Sequence, residues 1–303
     1  DTLVVFGDPT VAEGNDLDQV EYMPGPDVLE GRLLYDLDWT TPDTHEMTID
    51  FINLEPVVDL TVASVAVTAY GSHADSALNL IECPDLCTAV AGGVTPGLVK
   101  VDGFGSFEFA NKNDVLEIIG LAGDDTVNLN YQNLIPPQDL DRVWVEGNDP
   151  TGSDRLIVNA LDGLSDSLTL QPLSQGRGRI TGPAILPVDY LTIEDVHLVG
   201  QLGDADTMGV EGTTGYDLFE YFSDVVPDQG TIEGIMDNAT FSLPTITFAG
   251  MSSFVPRTFN AGVATGGQDD FLFRGTFSDD EITYNGAGLL INANDGSTVA
   301  TIQ

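Results

Sequence analysis

Short runs of alternating apolar and polar residues dominate the chain, and a turn rich in Gly and Asp introduces most of them. The clearest copy is Gly120-Leu121-Ala122-Gly123-Asp124-Asp125 followed by Thr126-Val127-Asn128-Leu129. Others are Gly200-Gln201-Leu202-Gly203-Asp204-Ala205-Asp206 before Thr207-Met208, and Gly266-Gly267-Gln268-Asp269-Asp270 before Phe271-Leu272-Phe273. A looser copy runs from Gly147 through Asp149 and Asp154 to Leu156-Ile157-Val158. Period-two alternation predicts strands that bury one face only.

A longer unit surrounds the phrase. It opens on Asp-x-apolar-x-apolar, turns into a second short strand, and ends in an apolar-Pro-apolar run such as Leu186-Pro187-Val188 or Leu243-Pro244-Thr245-Ile246. Such units open at Asp154, Asp206 and Asp270, so the period is irregular. One strand set cannot cover its own apolar face, whereas stacked coils about 4.8 Å apart bury one continuous core. The predicted fold is therefore all-β, a parallel β-helix or β-solenoid. Its approximate units are 1–58, 59–124, 125–153, 154–205, 206–269 and 270–303, the last one truncated. Antiparallel β-sandwich modules are the alternative, since short strands with regular turns describe them too. The chain opens on a strand and stops mid-pattern. This predicts a slice of a longer array, or ends that pair with another copy.

Composition narrows the function. Against 49 Asp and Glu stand 9 Lys and Arg, a formal charge of −40, which argues against nucleic-acid and anionic-membrane surfaces. Apolar residues still make up 42%, so the chain can bury a core. Of the acids 35 are Asp, and with 33 Gly and 16 Pro they favour turns over long helices. No stretch reaches the roughly 20 apolar residues of a spanning helix.

The turn phrases at 120–127 and 188–204 resemble large repetitive bacterial surface proteins with haemolysin-type (RTX-like) calcium-binding Gly/Asp repeats. The resemblance implies a secreted, calcium-stabilised β-roll or β-helix used for coating, adhesion or matrix formation. The gap-free tandem nonapeptide of true RTX rolls is not present here, so a ladder of ions shared between neighbouring nonapeptides does not carry over.

Calcium takes six to eight oxygens, and paired carboxylates at a tight bend supply several of them. The candidate ligands, in order, are Asp124 and Asp125, then Asp204 and Asp206, Asp269 and Asp270, Asp279 and Asp280, and Asp149 and Asp154. The competing reading is that these residues only build turns. Excess carboxylate is equally an adaptation to high salt, because cations must screen a charge of −40 for the chain to compact.

Cys83 and Cys87, with three residues between them, fit a small-loop disulfide in an oxidising compartment better than a metal site, for which His73 is the one nearby imidazole. Catalytic constellations are weak. Adjacent Asp residues on a strand point to opposite faces, His45, His73 and His197 are scattered, and no Gly-x-Ser-x-Gly elbow occurs. Trp39, Trp144, Tyr221 and Phe222 are candidates for stacking on sugars, with core packing as their commoner role.

The sequence thus predicts a non-enzymatic extracellular structural or adhesive module. It self-associates end to end or laterally, contacts surface polysaccharide, and neither binds nucleic acid nor inserts in membranes. The rival readings are a carbohydrate-active β-helix enzyme, a polysaccharide lyase or glycoside hydrolase, and a halophilic carbohydrate-binding domain.

Overall fold

A computed structural model describes residues 2–6, 18–27, 29–36, 47–54, 57–61, 66–72, 77–82, 96–101, 104, 106–110, 115–130, 140–148, 153–201, 203–213, 215–224, 228–251, 253–257, 270–274, 280–284, 289–293 and 298–302. Among them the fold is all-β, with strands in mixed sheets and no helix. The chain forms two compact units, Asp1–Leu156 with Leu186–Asp189, and Ile157–Ile185 with Tyr190–Gln303.

In the first unit the chain alternates between two sheets. One orders Leu3–Phe6, Val57–Leu60, Ser106–Ala110, Pro96–Val101, Ala77–Glu82 and Thr126–Asn130. The other orders Arg142–Glu146, Val115–Ile119, Ala66–Tyr70, Gln19–Pro24, Glu30–Asp36 and Met47–Ile52. The predicted alternation sets which side chains go inward: Val115–Ile119 and Thr126–Asn130 both alternate half-buried and buried positions. Parallel register then aligns like with like. Val20, Val67, Leu116 and Val143 form one inward row, and Tyr22, Ala69, Ile118 and Val145 form the next. All eight are at most 1% exposed, and burying each large aliphatic side chain contributes about 1.5–3 kcal/mol. Tyr22 reaches the facing sheet, where its ring stacks on Phe107 with centroids 4.9 Å apart.

Outside the sheet the same register builds a polar row. Gln19 Nε2 donates to Thr68 Oγ1 at 3.0 Å, and Thr68 Oγ1 donates to Glu117 at 2.9 Å. Register pairs Gln19 with Ala66 and Thr68 with Glu117, so the first of these bonds is diagonal and the second is direct.

The second unit repeats the arrangement. Asp195–Val199 lies parallel to Thr245–Ala249, and Ser167–Ser174 lies parallel to Thr207–Glu211, which pairs with Ser253–Arg257. Inward rows again match: Leu168 faces Met208, Leu170 faces Val210, and Val196 faces Ile246.

The structure differs from a purely parallel ladder in its hairpins. Gln19–Pro24, Glu30–Asp36 and Met47–Ile52 form an antiparallel meander, as do Ala77–Glu82, Pro96–Val101 and Ser106–Ala110. Ser167–Ser174 with Arg177–Thr181, and Leu218–Ser223 with Gln229–Met236, are further hairpins. Link length does not decide which occurs: Gln175-Gly176 closes one hairpin, residues 83–95 join another, and the crossing from Ile119 to Thr126 takes only residues 120–125. Gly and Asp serve both kinds of turn, so composition does not separate them.

Candidate functional site: the aspartate corners

Where the chain leaves one sheet for the other, a single Asp closes the corner immediately before the next strand. In the first unit Val115–Ile119 ends at Gly120, whose N–H donates to Glu146 O at 2.8 Å. The chain turns through Leu121 to Asp124 and re-enters a sheet after Asp125. Asp125 is 1% exposed, and its N–H donates to Asp154 Oδ1 at 2.8 Å across 29 residues. Asp154, itself fully buried, occupies the equivalent position before Arg155–Asn159. A Cβ on Gly120 would stand 2.5 Å from Asp125 Oδ2 and 2.9 Å from Gly147 O, so the glycine clears the space that the carboxylate fills.

The second unit has the same corner in fuller form. Asp206 is fully buried; its Oδ2 accepts the Gln201 N–H at 2.6 Å and its Oδ1 accepts the Asp166 N–H at 2.7 Å. Asp166 in turn accepts the Leu161 N–H at 2.8 Å through Oδ2. Asp217 takes the Thr213 N–H at 2.6 Å and the Asp237 N–H at 2.8 Å. One carboxylate thus satisfies its own turn and a neighbouring one. Buried backbone N–H groups need such partners, and charge-assisted bonds are roughly twice as strong as neutral ones.

A second, outer set of carboxylates flanks these. Exposed Asp124 accepts the Ser153 N–H at 2.9 Å, and half-buried Asp204 accepts the Gly163 N–H at 2.8 Å. Burial raises the Asp166 carboxyl, as do the charges of Asp206 and Asp204, against the lowering pull of the Leu161 N–H.

The structure therefore brings Asp124, Asp125 and Asp154 to one corner and Asp204 and Asp206 to another. Asp270 and Asp280 each begin a strand, Asp270–Arg274 and Asp280–Tyr284. Asp149, Asp269 and Asp279 lie outside the described residues, as do Cys83, Cys87, His45, His73 and Trp39. Among the described residues no three His, Cys, Asp or Glu side chains converge as a ready cation set. Asp154, Asp166, Asp206 and Asp217 direct carboxylate oxygens at backbone N–H groups, and Asp124 and Asp204 are the more solvent-facing acids of the corners. Of the aromatics, Tyr221 is fully buried in the core, while Trp144 and Phe222 are half-buried. His197 is half-buried on an outward position, with Nδ1 2.7 Å from Thr247 Oγ1.

Asp166 and Asp217 were not among the sequence candidates, although both stand directly before alternating strands. Asp59 is a different omission. It sits fully buried within Val57–Leu60, in register with Val5 and Phe109. Thr61 donates to it through Oγ1 at 2.7 Å and through N–H at 3.2 Å, and the Tyr35 hydroxyl donates from the facing sheet at 3.3 Å. Burial pushes the Asp59 carboxyl up to about 7, with the Thr61 and Tyr35 bonds pulling partly back. Its ordinary value is 3.8, so between these limits the folded protein holds a proton that the unfolded chain has lost. Stability from this group is full below about pH 4 and is lost as the pH rises towards 7. Asp59→Asn removes that slope. Denaturation at pH 4, 5.5 and 7 checks it, and an unchanged pH dependence contradicts the assignment.

Comparison with models of known protein families, with curated proteins and with solved structures finds no match.

Proposed function

We propose that the chain is a non-enzymatic structural and adhesive module, a β-solenoid of an extracellular bacterial surface layer, matrix or filament. One observation carries the reading: strands far apart in sequence pair in parallel register, as in the outward row Glu21, Thr68 and Glu117. A stack of that kind is extended by adding coils, and strand edges at its ends accept a further strand from another copy. Its interior is spent on packing and its corners on holding turns, which suits a load-bearing role.

Calcium belongs to this proposal at the outer carboxylates, Asp124 and Asp204, because they are the more solvent-facing acids of the corners and calcium takes carboxylate oxygens. The inner aspartates serve the backbone. Surface polysaccharide is the proposed external partner, met by the half-buried aromatics of the outer faces. Secretion follows from this role and is what the resemblance to the repetitive surface proteins implies.

Thermal unfolding and sedimentation of the full chain in chelator, millimolar calcium, and matched sodium and magnesium chloride test the reading. The expected result is polymer, with a rise in melting temperature specific to calcium, because an ion bound only by the native state stabilises it. Equal rises in every salt reduce the ion effect to screening and remove calcium from the account. Monomer in all four buffers overturns the assembly role.

A further inference from the structure

In a chain with 49 acids and 9 bases, exposed basic positions are the scarce half of any complementary contact. Arg32 pairs with Asp50, and Arg142 lies 3.8 Å from Asp189. Arg177 and Arg179 differ from these in sitting together at a hairpin tip. In Arg177–Thr181 exposed positions alternate with buried Gly178 and Ile180, so both arginines leave one face, about 6.6 Å apart along the strand. Gln171 stands opposite Arg179, and Leu173 nearby is 49% exposed.

The tip is braced. A Cβ on Gly178 would lie 2.4 Å from the hydroxyl of fully buried Tyr190, so the strand rests directly on that ring. The Ile193 N–H donates to Gly176 O at 3.1 Å and ties down the turn. A fixed tip loses little conformational freedom when it docks.

The outer face of the first unit offers the complementary chemistry. Register places Glu21, Thr68, Glu117 and Trp144 in one row, with Tyr70, Ile119 and Glu146 in the next. Burial, and then the charges of Glu21, Glu117 and Glu146, push the Tyr70 hydroxyl up to about 12, so the three glutamates surround that ring. Carboxylates pair with the guanidinium fork, and the faces of Trp and Tyr accept its flat cation.

We propose that the Arg177–Arg179 tip of one copy docks on the Glu21, Glu117 and Glu146 face, around Tyr70 and Trp144, of a second copy. The inference rests on the self-association reading and names its lateral contact. Tip and face are different patches, so the contact is heterologous and joins copies head to tail, in a ring or an open array, rather than as a two-fold isologous dimer.

Sedimentation velocity across a concentration series, at low and high sodium chloride, tests it with the full chain. Wild type associates, and more weakly at high salt. Arg177→Glu/Arg179→Glu and Glu117→Arg/Glu146→Arg each weaken association by about tenfold or more, and mixing the two variants restores it. Circular dichroism melts within a few degrees of wild type show that the variants still fold, as expected for surface substitutions. If wild type assembles and both variants match it, this contact is wrong while the assembly reading stands. If wild type is monomeric throughout, the assembly reading fails and takes the contact with it. Binding of heparin through the two arginines, with self-association unaffected by their reversal, reassigns the tip to a polyanion and overturns the proposal.

Discussion

Asp206→Ala lowers the unfolding free energy by about 2–4 kcal/mol, because it strips two backbone N–H groups of their acceptor at once. Those groups belong to half-buried Gln201, at 2.6 Å, and to buried Asp166, 40 residues earlier, at 2.7 Å. An unsatisfied buried donor costs about 1–3 kcal/mol, and the part-buried Gln201 N–H costs less. Asp206→Asn is also damaging, since its NH₂ must face one of the two donors. Asp124→Ala is the control: its carboxylate is exposed and accepts one N–H, so the expected loss is under about 1 kcal/mol. Guanidinium denaturation in chelator separates this from an ion-mediated effect. If Asp206 acted through calcium alone, the variant would match wild type there.

Gly200→Ala has the second largest expected effect, a loss of about 2–3 kcal/mol from overpacking. The new Cβ would stand 2.5 Å from Gly250 O and 2.9 Å from Asp206 Oδ2, both too close to be accommodated without movement. Gly250 O is backbone just after Thr245–Ala249, the strand paired with Asp195–Val199, so relief requires spreading that pair or turning the carboxylate off its donors. Gly203→Ala isolates the other use of glycine. That residue has φ +100° and open space around it, so its cost is backbone strain alone, about 1 kcal/mol. Equilibrium unfolding of the two variants side by side checks the order. A Gly203 variant worse than the Gly200 variant contradicts the close-approach account.

Much of this architecture was legible before any coordinates. Alternation in Val115–Ile119 and Thr126–Asn130 specifies which residues face inward, and Asp-x-apolar-x-apolar marks the residue that closes a corner. Asp154 and Asp206 open repeat units in the sequence and are calcium candidates there, and Asp166-Ser167-Leu168-Thr169-Leu170 and Asp217-Leu218-Phe219-Glu220-Tyr221 carry the same pattern. Paired acids beside glycine are the pattern that suits an ion, whereas Asp206 and Asp217 each act as one acid before a strand that accepts N–H bonds from two turns.

Other features leave no local trace. In Glu30–Asp36 the run Leu33, Leu34, Tyr35 and Asp36 is buried without alternation, the middle strand of an antiparallel meander. Nothing in Val57-Val58-Asp59 announces that its acid turns inward to meet Tyr35 from the facing sheet. Tyr221 reads as a surface aromatic beside Phe222, yet the period of Leu218–Ser223 puts it in the core with Phe219. Hairpins were missed because strand pairing is a long-range choice that one short run does not encode.

The central claim is that strands one circuit apart lie side by side in parallel. Nuclear Overhauser contacts in a perdeuterated, amide-protonated sample test it most directly. The account predicts cross-strand contacts joining Ala66–Tyr70 to Val115–Ile119 and Val115–Ile119 to Arg142–Glu146, all in parallel register. Antiparallel contacts alone, each between strands adjacent in sequence, would contradict it and mark the chain as a sandwich.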